Sequence, residues 1–239
     1  MWLLALETAT PTLSVALIKD GEPVVEYNER SKRRHAQTVA PTIEALLHEQ
    51  GLKAKDLDAV TCGSGPGSFT GLRIGLSTAK GLAQALDIAL ITVSTLDVLA
   101  AAAVRPDTIV APLIDAKQNH IYVGFYNGCS QEASLTPLTG YLALKPPQVA
   151  AQAAKLAGDQ PLMVCGDGVL LCHAGFTAAG LKVVELPPWY SAPRASILGK
   201  IAARRLEAGE SHNIATAQPM YVRRAAAELA REAKENAIC

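Results

Sequence analysis

Glycine, serine and threonine crowd into one run, Gly63-Ser64-Gly65-Pro66-Gly67-Ser68-Phe69-Thr70-Gly71. Between a strand and a helix, such a run could offer backbone N–H groups to an anion, because the first N–H groups of a helix have no partner inside it. The detailed phosphate motifs fail. A Walker loop closes on Gly-Lys-Ser/Thr, and no lysine lies between Cys62 and Arg73. A dinucleotide fingerprint needs a third glycine where this chain has Thr70. The nucleophile elbow Gly-x-Ser-x-Gly is also missing, since Pro66 and Gly67 precede Ser68. Two readings stay open: a sharp structural turn with Ser68 or Thr70 capping the next helix, or an anion or partner site.

The other reactive side chains are scattered. Cys165, Cys172 and His173 are neighbours, but their spacing is not that of a zinc site, and core or loop positions are expected for them. The histidines at 35, 48, 120, 173 and 212 form no metal-binding pair. Asp115 ends a strand pattern and reads as a turn residue. Arg30 with Lys32-Arg33-Arg34 is the densest basic run; such a run is either a solvated face or a helper in RNA docking. Neither a catalytic group, a bound cofactor nor a metal is expected.

A different kind of signal lies over 72–86. At about 100° per residue, Arg73, Ser77, Lys80 and Gln84 form a narrow polar strip. Apolar and small residues fill an arc of about 220°, roughly twice what a helix lying on one core needs. The helix over 36–50 has an ordinary stripe of about 120° by the same measure. Either neighbouring elements of the same chain cover both sides, or one side is a second packing face. On the latter reading the expected interface residues are Ile74, Gly75, Leu76, Thr78, Ala79 and Ala83, with the small ones allowing close helix approach.

The elements that would hold these residues alternate. Strands are expected at 2–7, 12–18 and 23–27, then a helix at 36–50 with Pro41 as a kink or start. A strand at 58–62, a helix at 72–86, a strand at 89–93 and a helix at 95–104 follow. A looser second half from Pro106 has strands at 108–114, 121–126, 162–165 and 181–185, and helices at 148–157 and 196–208. Asn127-Gly128 reads as a turn. This order predicts an α/β protein, in units 1–104 and 105–224 with an Ala- and charge-rich tail at 225–239.

Composition narrows the function. Hydrophobic residues make up 49% of the 239, enough for a packed core. Lys plus Arg and Asp plus Glu are 22 each, and this balance argues against a protein that grips nucleic acid by itself. No apolar run of about 20 residues suggests a membrane span, and the start of the chain does not read as a signal peptide. Five cysteines without a disulfide framework fit a reducing, cytoplasmic setting.

The run Gly65-Pro66-Gly67-Ser68-Phe69-Thr70-Gly71-Leu72-Arg73-Ile74-Gly75 resembles the signature of the TsaB family. Leu6-Glu7-Thr8-Ala9-Thr10, Thr78-Ala79-Lys80-Gly81-Leu82-Ala83, Val93-Ser94-Thr95-Leu96, Ile114-Asp115-Ala116, Gly166-Asp167-Gly168 and Pro219-Met220-Tyr221-Val222-Arg223 agree with it. The resemblance implies an actin-like ATPase superfamily fold of two ribonuclease H-like subdomains. It implies a non-catalytic subunit that supports the enzyme TsaD in forming N6-threonylcarbamoyladenosine at position 37 of tRNAs reading ANN codons. The implied partners are TsaD, the ATPase TsaE and a second copy of the chain, with tRNA met only through the complex. TsaD carries a His-x-x-x-His metal pair where this chain has Thr95 and Leu99, and leucine has no donor atom. Glu7 stands where many relatives have Asp, in a turn without glycine, so weak nucleotide binding is expected of the isolated chain, and any nucleotide would be shared with a partner. The alternative function is an active ATPase or metallopeptidase of the glycoprotease-like family.

Overall fold

The computed structural model describes residues 1–30, 34–128 and 135–223. Three antiparallel strands, β1 (Trp2–Glu7), β2 (Thr12–Lys19) and β3 (Glu22–Arg30), open the chain. Helix α1 (His35–Glu49), β4 (Ala59–Gly65), α2 (Phe69–Leu86), β5 (Ala89–Ser94) and α3 (Thr95–Ala103) follow. β1, β4 and β5 run parallel, giving the sheet order β3-β2-β1-β4-β5. β1 is central and its alternate side chains serve two cores. Leu4 and Leu6 meet α1 and α2, while Leu3 and Ala5 face the other way.

The second half repeats the plan. β6 (Ile109–Asp115), β7 (Ile121–Val123), β8 (Tyr126–Gly128), β9 (Leu135–Pro137) and β10 (Leu142–Leu144) precede α4 (Pro146–Ala157). β11 (Leu162–Cys165), α5 (Val169–Ala178), β12 (Val183–Glu185) and α6 (Ala195–Glu207) complete it. The main sheet path is β10-β7-β6-β11-β12, with β6, β11 and β12 parallel. The same strand order thus appears twice, each time with a hairpin on one side of the central strand and helix crossovers on the other.

The last helix of each half is exchanged. α3 lays Leu96, Leu99, Ala100 and Ala103 on Val110, Ile114, Met163 and Cys165 of the second sheet. α6 lays Ala195, Leu198 and Ala202 on Leu3, Ala5, Ala16 and Ile18 of the first. α6, which follows the second sheet in the chain, thus packs on the first sheet.

Several expectations change in detail. α1 runs through Pro41, which is exposed, so the carbonyl left without a donor faces solvent. The strand expected at 121–126 is two, because buried Phe125 follows a break at Gly124. Asn127 and Gly128 are paired to Ile109 and β9 rather than forming a turn. α5 has no amphipathic period to reveal it; it leaves Leu170 and Leu171 exposed. Lys32, Arg33 and the tail at 225–239 lie outside the described residues. Among the described residues, no helix is long and apolar enough to cross a membrane.

Candidate functional site

β1 ends at Glu7, and the turn Thr8-Ala9-Thr10 that follows is buried against the start of α2. The Thr8 hydroxyl donates to the Gly71 carbonyl at 2.8 Å, and the Ser68 N–H donates to the Ala9 carbonyl at 2.7 Å. Ser68, not Thr70, caps α2: its Oγ accepts from the Gly71 N–H at 3.2 Å. That cap starts α2 three residues before the expected Leu72. A Cβ on Gly71 would stand 2.1 Å from the Thr8 carbonyl oxygen, and one on Gly75 2.3 Å from the Thr8 hydroxyl. These glycines let the chain's own turn nest on the helix. Of the two readings of the loop, the structural turn is the one built here.

Glu7 is completely buried. Its Oε1 accepts from the Ala9 N–H at 2.7 Å and its Oε2 from the Thr95 hydroxyl at 3.1 Å. Burial pushes its pKa up to about 7, against these hydrogen bonds, which pull it down. Burial, with a smaller contribution from Glu7, raises the Cys62 thiol far above its ordinary value, so Cys62 stays a neutral thiol and is no nucleophile.

The two positions at which the resemblance implied a metal pair in relatives, Thr95 and Leu99, are both buried here. Thr95 is spent on Glu7, and Leu99 is fully buried between α3 and the second sheet. Among the described residues no three His, Cys, Asp or Glu side chains gather as a metal site. The trio at 165–173 diverges. Cys165 lies under α3, Cys172 in the core on the other face of the second sheet, and exposed His173 bonds Glu185 at 2.8 Å. Burial pushes the Cys165 and Cys172 thiols up to about 12 and about 11. Asp115 accepts from the Lys117 N–H at 2.8 Å and pairs with its ammonium, which is turn chemistry at a strand end.

Helix α2 divides its wide apolar arc. Gly75, Leu76, Ala79 and Ala83 face the chain's own core with Leu4, Leu6 and Val60; Leu76 is only 6% exposed. All four are buried within the chain, Gly75 against the Thr8 side chain. Ile74 and Thr78 are half-buried, and with half-buried Leu82 and exposed Gly81 and Ala85 they form a strip about 100° wide. The polar strip meets the returning chain, as Lys80 donates to the carbonyls of Ala215 and Ala217 at 3.4 and 3.1 Å.

A carboxylate cluster escaped the sequence reading. Asp97, on otherwise apolar α3, accepts from Tyr126 Oη at 2.8 Å and from Tyr141 Oη at 3.0 and 2.9 Å, and Arg205 of α6 stands 3.6 Å away. The one charge in a helix of Leu, Val, Ala and Thr was the available signal. Burial and the neighbouring Asp97 charge raise both phenols, Tyr141 to about 12, so they remain donors. Asp97→Ala strands both hydroxyls. We expect a loss of about 2 kcal/mol, read as a melting temperature lower by about 4–8 °C. An unchanged melt would show that the cluster does not hold the halves together.

Comparison with known proteins places this geometry. Residues 27–231 match the family model described as TsaD, tRNA N6-adenosine threonylcarbamoyltransferase. The tRNA threonylcarbamoyladenosine biosynthesis protein TsaB of Bacillus subtilis is 36% identical over 126 residues, 53% of this chain and 55% of that one. The chain spans about half the length of the curated relatives it matches. A crystal structure of a Pseudomonas aeruginosa protein, described as similar to peptidase YeaZ, superposes with a TM-score of 0.77 at 32% identity, covering 93% of this chain and 99% of that one. An inorganic polyphosphate/ATP-glucomannokinase from Arthrobacter, 10% identical, shares the fold with a TM-score of 0.51 over 86% of this chain and 99% of that one. The doubled strand order is that of the actin-like ATPase fold. With the family model matched over most of its length and a YeaZ structure superposed over 93% of it, the chain belongs to the TsaB (YeaZ) family, within the group that the TsaD model describes.

Proposed function

We propose that the chain is a non-catalytic subunit in the formation of N6-threonylcarbamoyladenosine on tRNA, working in the cytoplasm. It binds and supports TsaD, which modifies position 37 of tRNAs reading ANN codons, and it also pairs with a second copy of itself. TsaE joins the complex, and tRNA reaches this chain through it. Any nucleotide is shared at a subunit boundary. The observation that carries the non-catalytic reading is the pair Thr95 and Leu99, one bonded to buried Glu7 and the other packed in the core. Leu99 has no donor atom, and the Thr95 hydroxyl is already bonded to Glu7.

The half-buried strip of α2 supports the partner reading. An apolar strip that its own chain leaves partly uncovered is the kind of face that another helix covers, and a charge placed at its centre is costly. Ile74→Glu is expected to leave the monomer folded and to weaken pairing with TsaD and with a second copy tenfold or more, about 1.4 kcal/mol. Sedimentation with TsaD titrated in, beside a thermal melt, reads both. Leu76→Glu serves as the contrast, because burying its carboxylate among Leu4, Leu6 and Val60 unfolds the chain. Unchanged affinity for TsaD in the Ile74 variant would remove α2 as the interface, and a wild-type chain that never pairs with TsaD would overturn the reading itself.

A further inference from the structure

The first turn of α2 and the last described residues of the chain build an aromatic stack. Phe69 and Tyr221 lie ring on ring, centroids 5.4 Å apart and planes 29° from parallel. The guanidinium carbon of Arg73 stands 3.9 Å from the Phe69 centroid, and its Nε is 3.5 Å from Tyr221 Oη. Both rings stay open to solvent, Phe69 at 41% and Tyr221 at 45%. Tethering the chain end does not require them. The Met220 N–H already donates to the Ser64 carbonyl at 2.7 Å, and Lys80 holds the carbonyls of Ala215 and Ala217. Among the described residues no carboxylate pairs with Arg73. Two residues beyond Tyr221, Arg223 donates to the Lys117 carbonyl and to Gln118 Oε1.

Half-exposed aromatic rings next to a guanidinium that meets no carboxylate among the described residues suit an unpaired base and its phosphate: the base stacks on a ring and the phosphate takes the charge. An acidic peptide would use Arg73 and leave the ring faces idle. We propose that Phe69, Tyr221 and Arg73 form a stacking platform for an unpaired base of single-stranded RNA. The choice of RNA over DNA rests on the proposed function; the stacking chemistry does not. With zero net charge on the chain, this platform adds one contact rather than a whole binding surface.

The test uses the full chain alone, so pairing with TsaD plays no part in it. A labelled single-stranded oligoribonucleotide of about ten nucleotides is titrated at low salt, and ultraviolet cross-links are mapped by mass spectrometry. The wild type is expected to bind and to cross-link at Phe69 or Tyr221. Phe69→Ala and Tyr221→Ala are each expected to weaken binding about tenfold, while Tyr221→Phe keeps it. Arg73→Gln is expected to lower the salt dependence by about one ion. The proposal falls if wild-type protein does not bind, if cross-links map elsewhere, or if both alanine variants bind as wild type does. It falls equally if a duplex of the same sequence binds as well, or if AMP competes as well as the oligonucleotide, which would make a free nucleotide the occupant.

Discussion

Glu7→Gln is expected to stabilise the protein by about 3 kcal/mol near pH 8, and to abolish most of the slope of stability against pH between about 4.5 and 7. The cause is the buried carboxyl at the end of β1, raised from 4.5 to about 7 by desolvation. Within that window the unfolded chain has released this proton and the folded chain has kept it. The folded state binds more protons, so stability falls as pH rises. Below the window both states are protonated and Glu7 costs nothing; above it both are ionised and the full penalty applies. Glutamine keeps the geometry, since its oxygen can accept from the Ala9 N–H and its amide can donate to Thr95 Oγ1, the partners of Glu7 now. Urea unfolding of both proteins across this pH range measures the effect. Parallel curves would show that Glu7 does not titrate in the window.

Gly71→Ala is expected to cost about 3 kcal/mol, near the top of the usual range for overpacking. The melting temperature should fall by about 6–12 °C. Alanine ordinarily favours a helix, but here its Cβ would lie 2.1 Å from the Thr8 carbonyl oxygen, and no flexible side chain can yield. The turn would have to lift off α2, breaking the 2.8 Å bond from Thr8 and the 2.7 Å bond from Ser68. Gly81→Ala is the control on the same helix. Nothing lies within 4 Å of its Cβ position, so the propensity gain of up to about 1 kcal/mol remains. Equal melting temperatures for the two variants would refute the close-packing account of the loop.

The first sheet and its helices were legible because β1, β2, β4 and β5 are short apolar runs between clear turn residues, and α1 has a clean helical stripe. The second half was less so. β7 and β8 read as one strand because Gly124 and Phe125 interrupt a pattern that stays apolar throughout, and α5 is too evenly apolar to show a face. At the candidate site, sequence reading found the loop. It did not show that Gly75, Leu76, Ala79 and Ala83 are buried within the chain, because a wheel gives the width of an apolar arc but not which part the sheet takes. Asp97 with Tyr126, Tyr141 and Arg205, like Phe69 with Tyr221, joins residues far apart in the chain, and no local pattern carries such a meeting.

The exchanged helices bear on how the chain is made. The face of the first sheet that carries Leu3, Ala5, Ala16 and Ile18 takes most of its cover from α6, with Val98 of α3 beside it, and translation at about 5–20 residues per second puts roughly 10–40 seconds between the two. Until then α3 also waits for β6 and β11, its seat on the second sheet. Each half closes one core with its own helices and the other only with a helix of the other half. A polypeptide stopped after residue 104 would leave two apolar surfaces largely uncovered and is expected to aggregate.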